Sequence, residues 1–221
     1  VAQSDRQSQS TARKLRLCGF RPLLETLESR EVPAAAVGLT SLGSLIRFDT
    51  ATPGTTTAPV VITGLQPAEA ILAIDFRPAD LKLYGLGDTG RLYTIADTGV
   101  ATQVGAGVFD VPLQGASFGF DFNPTVDRIR VVSDMGQNFR INPNTGKQVD
   151  SDMVTAGTQI DPQLMGDSLG FEGAAYTNNF LAGPNTVLFG IDQVNNNLST
   201  INTTTGATTF VGTLGIASDD L

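Results

Sequence analysis

The densest group of polar side chains able to recognise a ligand lies between residues 128 and 140. It comprises Arg128, Arg130, Asp134, Asn138 and Arg140. A guanidinium is a planar, permanently charged fork of donors suited to carboxylates, so this group is a candidate site for an acidic or sugar ligand. The structural reading of Arg130 is an ion pair with Asp121 or Asp134. A second chemistry is open to Asp75 and Asp121. Two carboxylates with backbone carbonyls could hold a hard cation, calcium being the fitting one. Equally, each carboxylate could accept backbone N–H bonds and serve only the fold, because a buried carboxylate must find donors. The chain has no His and a single Cys, Cys18. Ser-His-Asp triads, Cys-His nucleophiles and His- or Cys-built zinc sites are therefore excluded from the repeats.

The elements that must position these residues are legible as a repeated phrase. An apolar run with Asp-Phe-x-Pro is followed by a short strand, a Gly turn, a second strand and Thr-Gly. It occurs at Asp75-Phe76-Arg77-Pro78 through Thr98-Gly99 and, 46 residues on, at Asp121-Phe122-Asn123-Pro124 through Thr145-Gly146. A looser copy runs from Gly173 to Gly206, with Ala175 in the Asp slot, and a partial copy opens at Val37 without its leading strand. Units of about 40–50 residues holding several short strands predict the blades of a β-propeller. The fold class is thus all-β and propeller-like, with about four blade-like units. Alternation sets Phe118, Phe120 and Phe122 on one strand face and Gly119, Asp121 and Asn123 on the other. Phe76, Phe122 and Tyr176 are expected to be buried at equivalent positions, as are Leu83, Ile129 and Leu188. The recurrence of Asp in one slot favours the structural reading, since a fold device is needed in every blade and a catalytic group only once. Arg130 breaks the pattern, standing where the other units carry Val37, Tyr84 and Phe189. An Arg there is costly unless paired or facing a ligand groove. The longest insertion between units, Asp161-Pro162-Gln163-Leu164-Met165-Gly166-Asp167, reads as a loop or as a second functional segment.

Charge divides the chain at about residue 34. Residues 1–34 carry a balance of +2 and residues 35–221 a balance of −10, within a net charge of −8. So acidic a domain repels phosphate backbones, which argues against nucleic acid as a partner. No stretch approaches the roughly 18 apolar residues of a membrane-spanning helix. The first twelve residues read as disordered. Pro22 to Glu31 reads as a short amphipathic helix, with Leu23, Leu24 and Leu27 on one face. The domains expected are therefore a leader over 1–34 and the repeat domain over 35–221. The phrase calls for a further strand after Gly215-Ile216-Ala217. The chain is either a fragment there, or its tail completes the partial first blade.

Two resemblances extend this reading. Leu24-Glu25-Thr26-Leu27-Glu28-Ser29-Arg30-Glu31-Val32-Pro33-Ala34 resembles the LE-x-LE-x-R-x-x-P-A leader of many exported bacterial proteins, which implies an extracellular or cell-envelope location. Residues 36–221 resemble the domain of unknown function 4394, a family of secreted bacterial repeat domains. The most specific match is Phe118-Gly119-Phe120-Asp121-Phe122-Asn123-Pro124-Thr125-Val126-Asp127-Arg128-Ile129-Arg130-Val131-Val132-Ser133. That family has no established activity, so the resemblance carries no catalytic residue. The function expected is a non-enzymatic binding or scaffold module for a small molecule, glycan or protein, without a cofactor. The alternatives are a metal-assisted hydrolase or lactonase using Asp75 and Asp121, and a structural segment of a larger surface protein.

Overall fold

The computed structural model describes residues 34–166, 170–180 and 185–215. The leader, its amphipathic helix and Cys18 lie outside the described residues, as does the tail from Ile216. The described residues form strands and turns without a helix.

Among the described residues, fifteen strands build four antiparallel sheets, each a simple meander. The first sheet holds β1 (Ala35–Leu39), β2 (Ser44–Asp49) and β3 (Val60–Val61). The second holds β4 (Ile71–Phe76), β5 (Leu83–Gly87), β6 (Arg91–Ile95) and β7 (Ala101–Val104). The third holds β8 (Phe118–Asn123), β9 (Arg128–Ser133), β10 (Asn138–Asn142) and β11 (Lys147–Gln148). The fourth holds β12 (Phe171–Tyr176), β13 (Leu188–Asp192), β14 (Asn197–Ile201) and β15 (Thr208–Thr213). The four sheets are the four blades that the repeat predicts.

Alternation along each strand divides the side chains between neighbouring blades. Phe118, Phe120 and Phe122 of β8 join Tyr84, Leu86 and Leu92 of the second blade in one buried cluster. Tyr84 meets Phe122 edge-on, with ring centroids 5.1 Å apart. The opposite face of β8 turns to β12, and the two strands touch closely at Gly119. A Cβ there would stand 2.7 Å from the amide nitrogen of Ala174, so only glycine permits the approach.

The Asp slot stitches the blades together through their first strands. Asp75 Oδ2 accepts the amide of Phe122 at 2.8 Å, and Asp121 Oδ2 accepts the amide of Tyr176 at 2.7 Å. Leu83, Ile129, Leu188, Phe122 and Tyr176 are buried. Phe76 corrects the expectation, being 39% exposed. Its equivalent Phe122 is covered by Tyr84, but the first blade offers the much shorter Val37 in that slot. Ile74, on the same face as Phe76, still joins the cluster with Val37 and Leu39.

Two neighbouring interfaces built on one plan end differently. In the interface between the second and third blades, Arg77 follows β4 and crosses to Asp127. There Nε donates to Oδ1 at 2.8 Å, and Nη2 donates to Oδ2. Asp127 is held in the left-handed conformation (φ 51°), as is its repeat equivalent Leu81 (φ 56°). Arg77 also reaches the Tyr84 hydroxyl at 3.2 Å, which closes that end of the interface with side chains. In the next interface Asn123 replaces Arg77. Its Oδ1 accepts the amides of Thr125 and Val126 in its own turn. A side chain so short and so engaged leaves the end of the third and fourth blades open.

Candidate functional site

The opening is a cavity of about 540 Å³. One wall is the third blade, with Asn123, Val126, Arg128, Arg130 and Arg140. Facing it are Tyr176 of β12 and the turn residues Thr203 and Thr204 of the fourth blade. The insertion between the blades supplies Ser151, Asp161 and Pro162. Pairing explains why the arginines converge. Asp121 lies opposite Arg130 in the β8–β9 register, and Arg130 lies opposite Arg140 in the β9–β10 register. Residues directly opposite share a face, so the three form one polar row toward the fourth blade.

The insertion is held against this row at several points. Leu164 is buried in the core shared with the fourth blade. Its amide donates to the Gly136 carbonyl at 2.9 Å. Met165 bridges to Ala207 in parallel. Asn138 Nδ2 donates to the Pro162 carbonyl at 2.8 Å. These ties deliver Asp161 to the arginines. Its Oδ2 accepts Arg130 Nη1 at 2.7 Å and Arg140 Nε at 2.8 Å, and its Oδ1 accepts Arg140 Nη2 at 2.7 Å. Arg130 is 4% exposed and donates further to Asn138 Oδ1 at 2.7 Å and to the Tyr176 hydroxyl at 3.4 Å.

The cavity wall carries three guanidiniums and one carboxylate, an excess of two positive charges. Asp161 is shared by two arginines. Arg128 hydrogen-bonds only to backbone, to the carbonyls of Asp127 at 2.8 Å and Val126 at 3.4 Å. Its charge acts on the neighbouring Asp127 carboxylate, which is itself hydrogen-bonded to Arg77. The Asp161 carboxylate holds Arg140 above the ordinary arginine value, so it stays charged at any working pH. Positive charge in a cleft walled by protein is poorly screened and attracts an anion.

Of the residues singled out in the sequence, Arg128, Arg130 and Arg140 line the cavity, and so do Asp161 and Pro162 of the insertion read as a loop or second functional segment. Asn138 is fully buried behind it and positions both Arg130 and the insertion. Asp134 lies elsewhere. It follows β9 and accepts the amide of Ala116, because the strand ends at Ser133 before the chain can return to this face. The partner of Arg130 is neither Asp121 nor Asp134, as the structural reading had it, but Asp161. Asn123, Thr203 and Thr204 carried no signal in the sequence, as their place in the wall comes from blade packing.

Asp75 and Asp121 form a separate feature. Besides Phe122, Asp75 accepts its neighbour Phe76 through Oδ1 at 2.7 Å. The two carboxyl groups are close enough for the charge of one to act on the other. Burial, followed by the adjacent charge of Asp75, pushes Asp121 up to about 8. Burial lifts Asp75 to about 6, opposed by the amides of Phe122 and Phe76. Both carboxyls are therefore raised above the ordinary carboxylate range, Asp121 further than Asp75.

Fold and cleft together define a β-propeller domain with a cationic pocket between two of its blades. The chain belongs to the family described as domain of unknown function (DUF4394), whose model matches residues 44–220. No curated protein matches it. Among solved structures the chain is similar to apo AztD from Citrobacter koseri, at 12% identity and a TM-score of 0.39. That match covers 82% of this chain and 44% of the other. It is also similar to puromycin hydrolase, at 20% identity and a TM-score of 0.37, with coverage of 76% and 24%. The chain thus spans less than half the length of either.

Proposed function

We propose that this domain is a binding module of the bacterial envelope or exterior that captures a small anionic molecule between its third and fourth blades. The observation that carries the reading is the excess of guanidinium over carboxylate in one cleft of an otherwise acidic domain. Replacing an aromatic slot by a buried Arg costs desolvation that an ion pair with Asp161 only partly offsets. A bound anion completes the balance. The hydrolase alternative finds less support, because both oxygens of Asp75 and one of Asp121 are engaged with the amides of Phe76, Phe122 and Tyr176.

Calorimetric titration with citrate, acetate and sulfate at low ionic strength tests the binding reading. Saturable binding of at least one of these anions, weakened tenfold or more by Arg128→Ala, is expected. The absence of binding for these and for hydroxylated carboxylates alike would overturn it. Export rests on the leader alone, and a reporter fused after Ala34 should leave the cytoplasm of a related host. Wholly cytoplasmic reporter would reject it.

A further inference from the structure

The cavity offers more than positive charge, and its other groups narrow the ligand. Asp161 has four lone-pair directions on its two oxygens, and three are taken by Arg130 and Arg140. The remaining one, on Oδ1, can accept a hydroxyl but repels a second anion. Across the cleft, the side-chain hydroxyls of Thr203 and Thr204 make no hydrogen bond among the described residues. The Tyr176 hydroxyl accepts from Arg130 and keeps its own proton to donate. Between these polar groups lie the apolar surfaces of Val126 and Pro162.

Each simpler class of anion leaves part of this lining unmatched. An inorganic oxyanion is drawn by Arg128 but brings no donor for Asp161 or the threonines. A hydrocarbon carboxylate leaves the same hydroxyls without partners, which costs binding when they are covered. A neutral sugar satisfies the hydroxyls and brings no carboxylate to the guanidinium of Arg128, whose hydrogen bonds go only to backbone carbonyls. A molecule with one carboxylate and several hydroxyls on a ring matches all of them, and the ring's apolar faces match Val126 and Pro162. The cavity lies within the size range of small-molecule sites and accommodates a monosaccharide or disaccharide.

We infer that the pocket is built for a sugar acid of the uronate class. Its carboxylate meets Arg128, and its hydroxyls meet Asp161 Oδ1 and the Thr203–Thr204 turn. This assignment rests on the anion-binding reading above and goes beyond it in naming the class. The test is competitive calorimetry on the full chain at constant low ionic strength, with glucuronate and galacturonate against acetate, sulfate and glucose. At least one uronate should bind tenfold or more tighter than acetate, sulfate and glucose alike. Arg128→Gln should reduce uronate affinity tenfold or more, bringing it to the level of glucose, with Arg128→Lys recovering part of the loss. The double change Thr203→Val and Thr204→Val, on an exposed turn, should weaken uronate at least threefold and leave acetate unchanged. Acetate or sulfate bound as tightly as the uronates, and still dependent on Arg128, would overturn the sugar-acid assignment while sparing the anion site. Glucose bound as tightly as the uronates, or no binding by any probe, would overturn both.

Discussion

Exchanging each carboxyl of the Asp75–Asp121 pair for an amide should have opposite consequences. Asp121 accepts from the Tyr176 amide on Oδ2, and a proton retained on its other oxygen is free to be donated toward Asp75. Asparagine at 121 reproduces that pattern, with Oδ1 accepting and Nδ2 donating. Asp75 accepts on both oxygens, from Phe76 and Phe122, so Asp75→Asn must point an amide donor at a backbone N–H. That mismatch should cost about 1–3 kcal/mol. The sign of the pH dependence follows from raised folded-state values. The folded protein keeps the Asp121 proton until about pH 8, whereas the unfolded chain releases it near 3.8. Stability from the pair is complete below the unfolded value and is lost as pH rises through the folded one. The slope approaches about 1.4 kcal/mol per pH unit for one retained proton. Asp121→Asn removes that slope. It should match wild type near pH 4.5 and exceed it by on the order of 2–4 kcal/mol at pH 7.5. Urea denaturation at several pH values, followed by near-ultraviolet circular dichroism and fluorescence, measures both effects. Equal losses in the two variants, or a wild-type pH slope unchanged by Asp121→Asn, would refute the shared proton.

Three further outcomes follow from packing and pairing. Phe122→Ala should cost about 3–5 kcal/mol in urea denaturation, through lost transfer energy and a cavity beside Tyr84. Phe76→Ala should cost under about half as much, since that ring is partly in water; equal costs would contradict the difference between the interfaces. Asp161→Asn should destabilise by about 3–5 kcal/mol, because it leaves the buried Arg130 beside the half-buried Arg140 without their shared carboxylate. Added sulfate should restore part of that loss in thermal melts, and restoration equal to wild type's response to sulfate would count against a cationic pocket. Arg77→Ala should loosen the interface between the second and third blades, with hydrogen exchange accelerating at Phe122 and Asp127 but not at Tyr176. Uniform acceleration would mean that the interfaces do not open separately.

The blades were legible because each needs the same local solutions. The 46-residue recurrence of Asp-Phe-x-Pro records a bond made twice, with Asp reaching the next blade's amide, while of the two Phe rings only Phe122 is fully covered. The equivalence of Leu83, Ile129 and Leu188 was legible for the same reason, as period-two alternation decides which side chains enter the core. The exposure of Phe76 was not, because it depends on the size of Val37 in another blade. The site was legible where it broke the repeat. Arg130 in an aromatic slot marked the third blade, and its cross-strand neighbour Arg140 follows from the register. The insertion was marked as a candidate functional segment, but the pairing of its Asp161 with the two arginines was hidden, since its path is set by Leu164, Asn138 and Met165. Asn123 was hidden too. Its significance is the absence of the Arg77 side chain that closes the neighbouring interface, and an absence shows only when the two interfaces are compared in three dimensions.

The central claim is that a ligand anion enters the cleft between the third and fourth blades and meets its guanidiniums. The Nε–Hε resonances of the arginines, followed by nitrogen–proton NMR during titration with glucuronate, report on this directly. The cleft arginines Arg128, Arg130 and Arg140 should shift along one saturating curve, led by Arg128, while Arg47 and Arg91 in the first two blades stay in place. Saturation that moves Arg47 or Arg91 and leaves the cleft arginines unmoved would contradict the account.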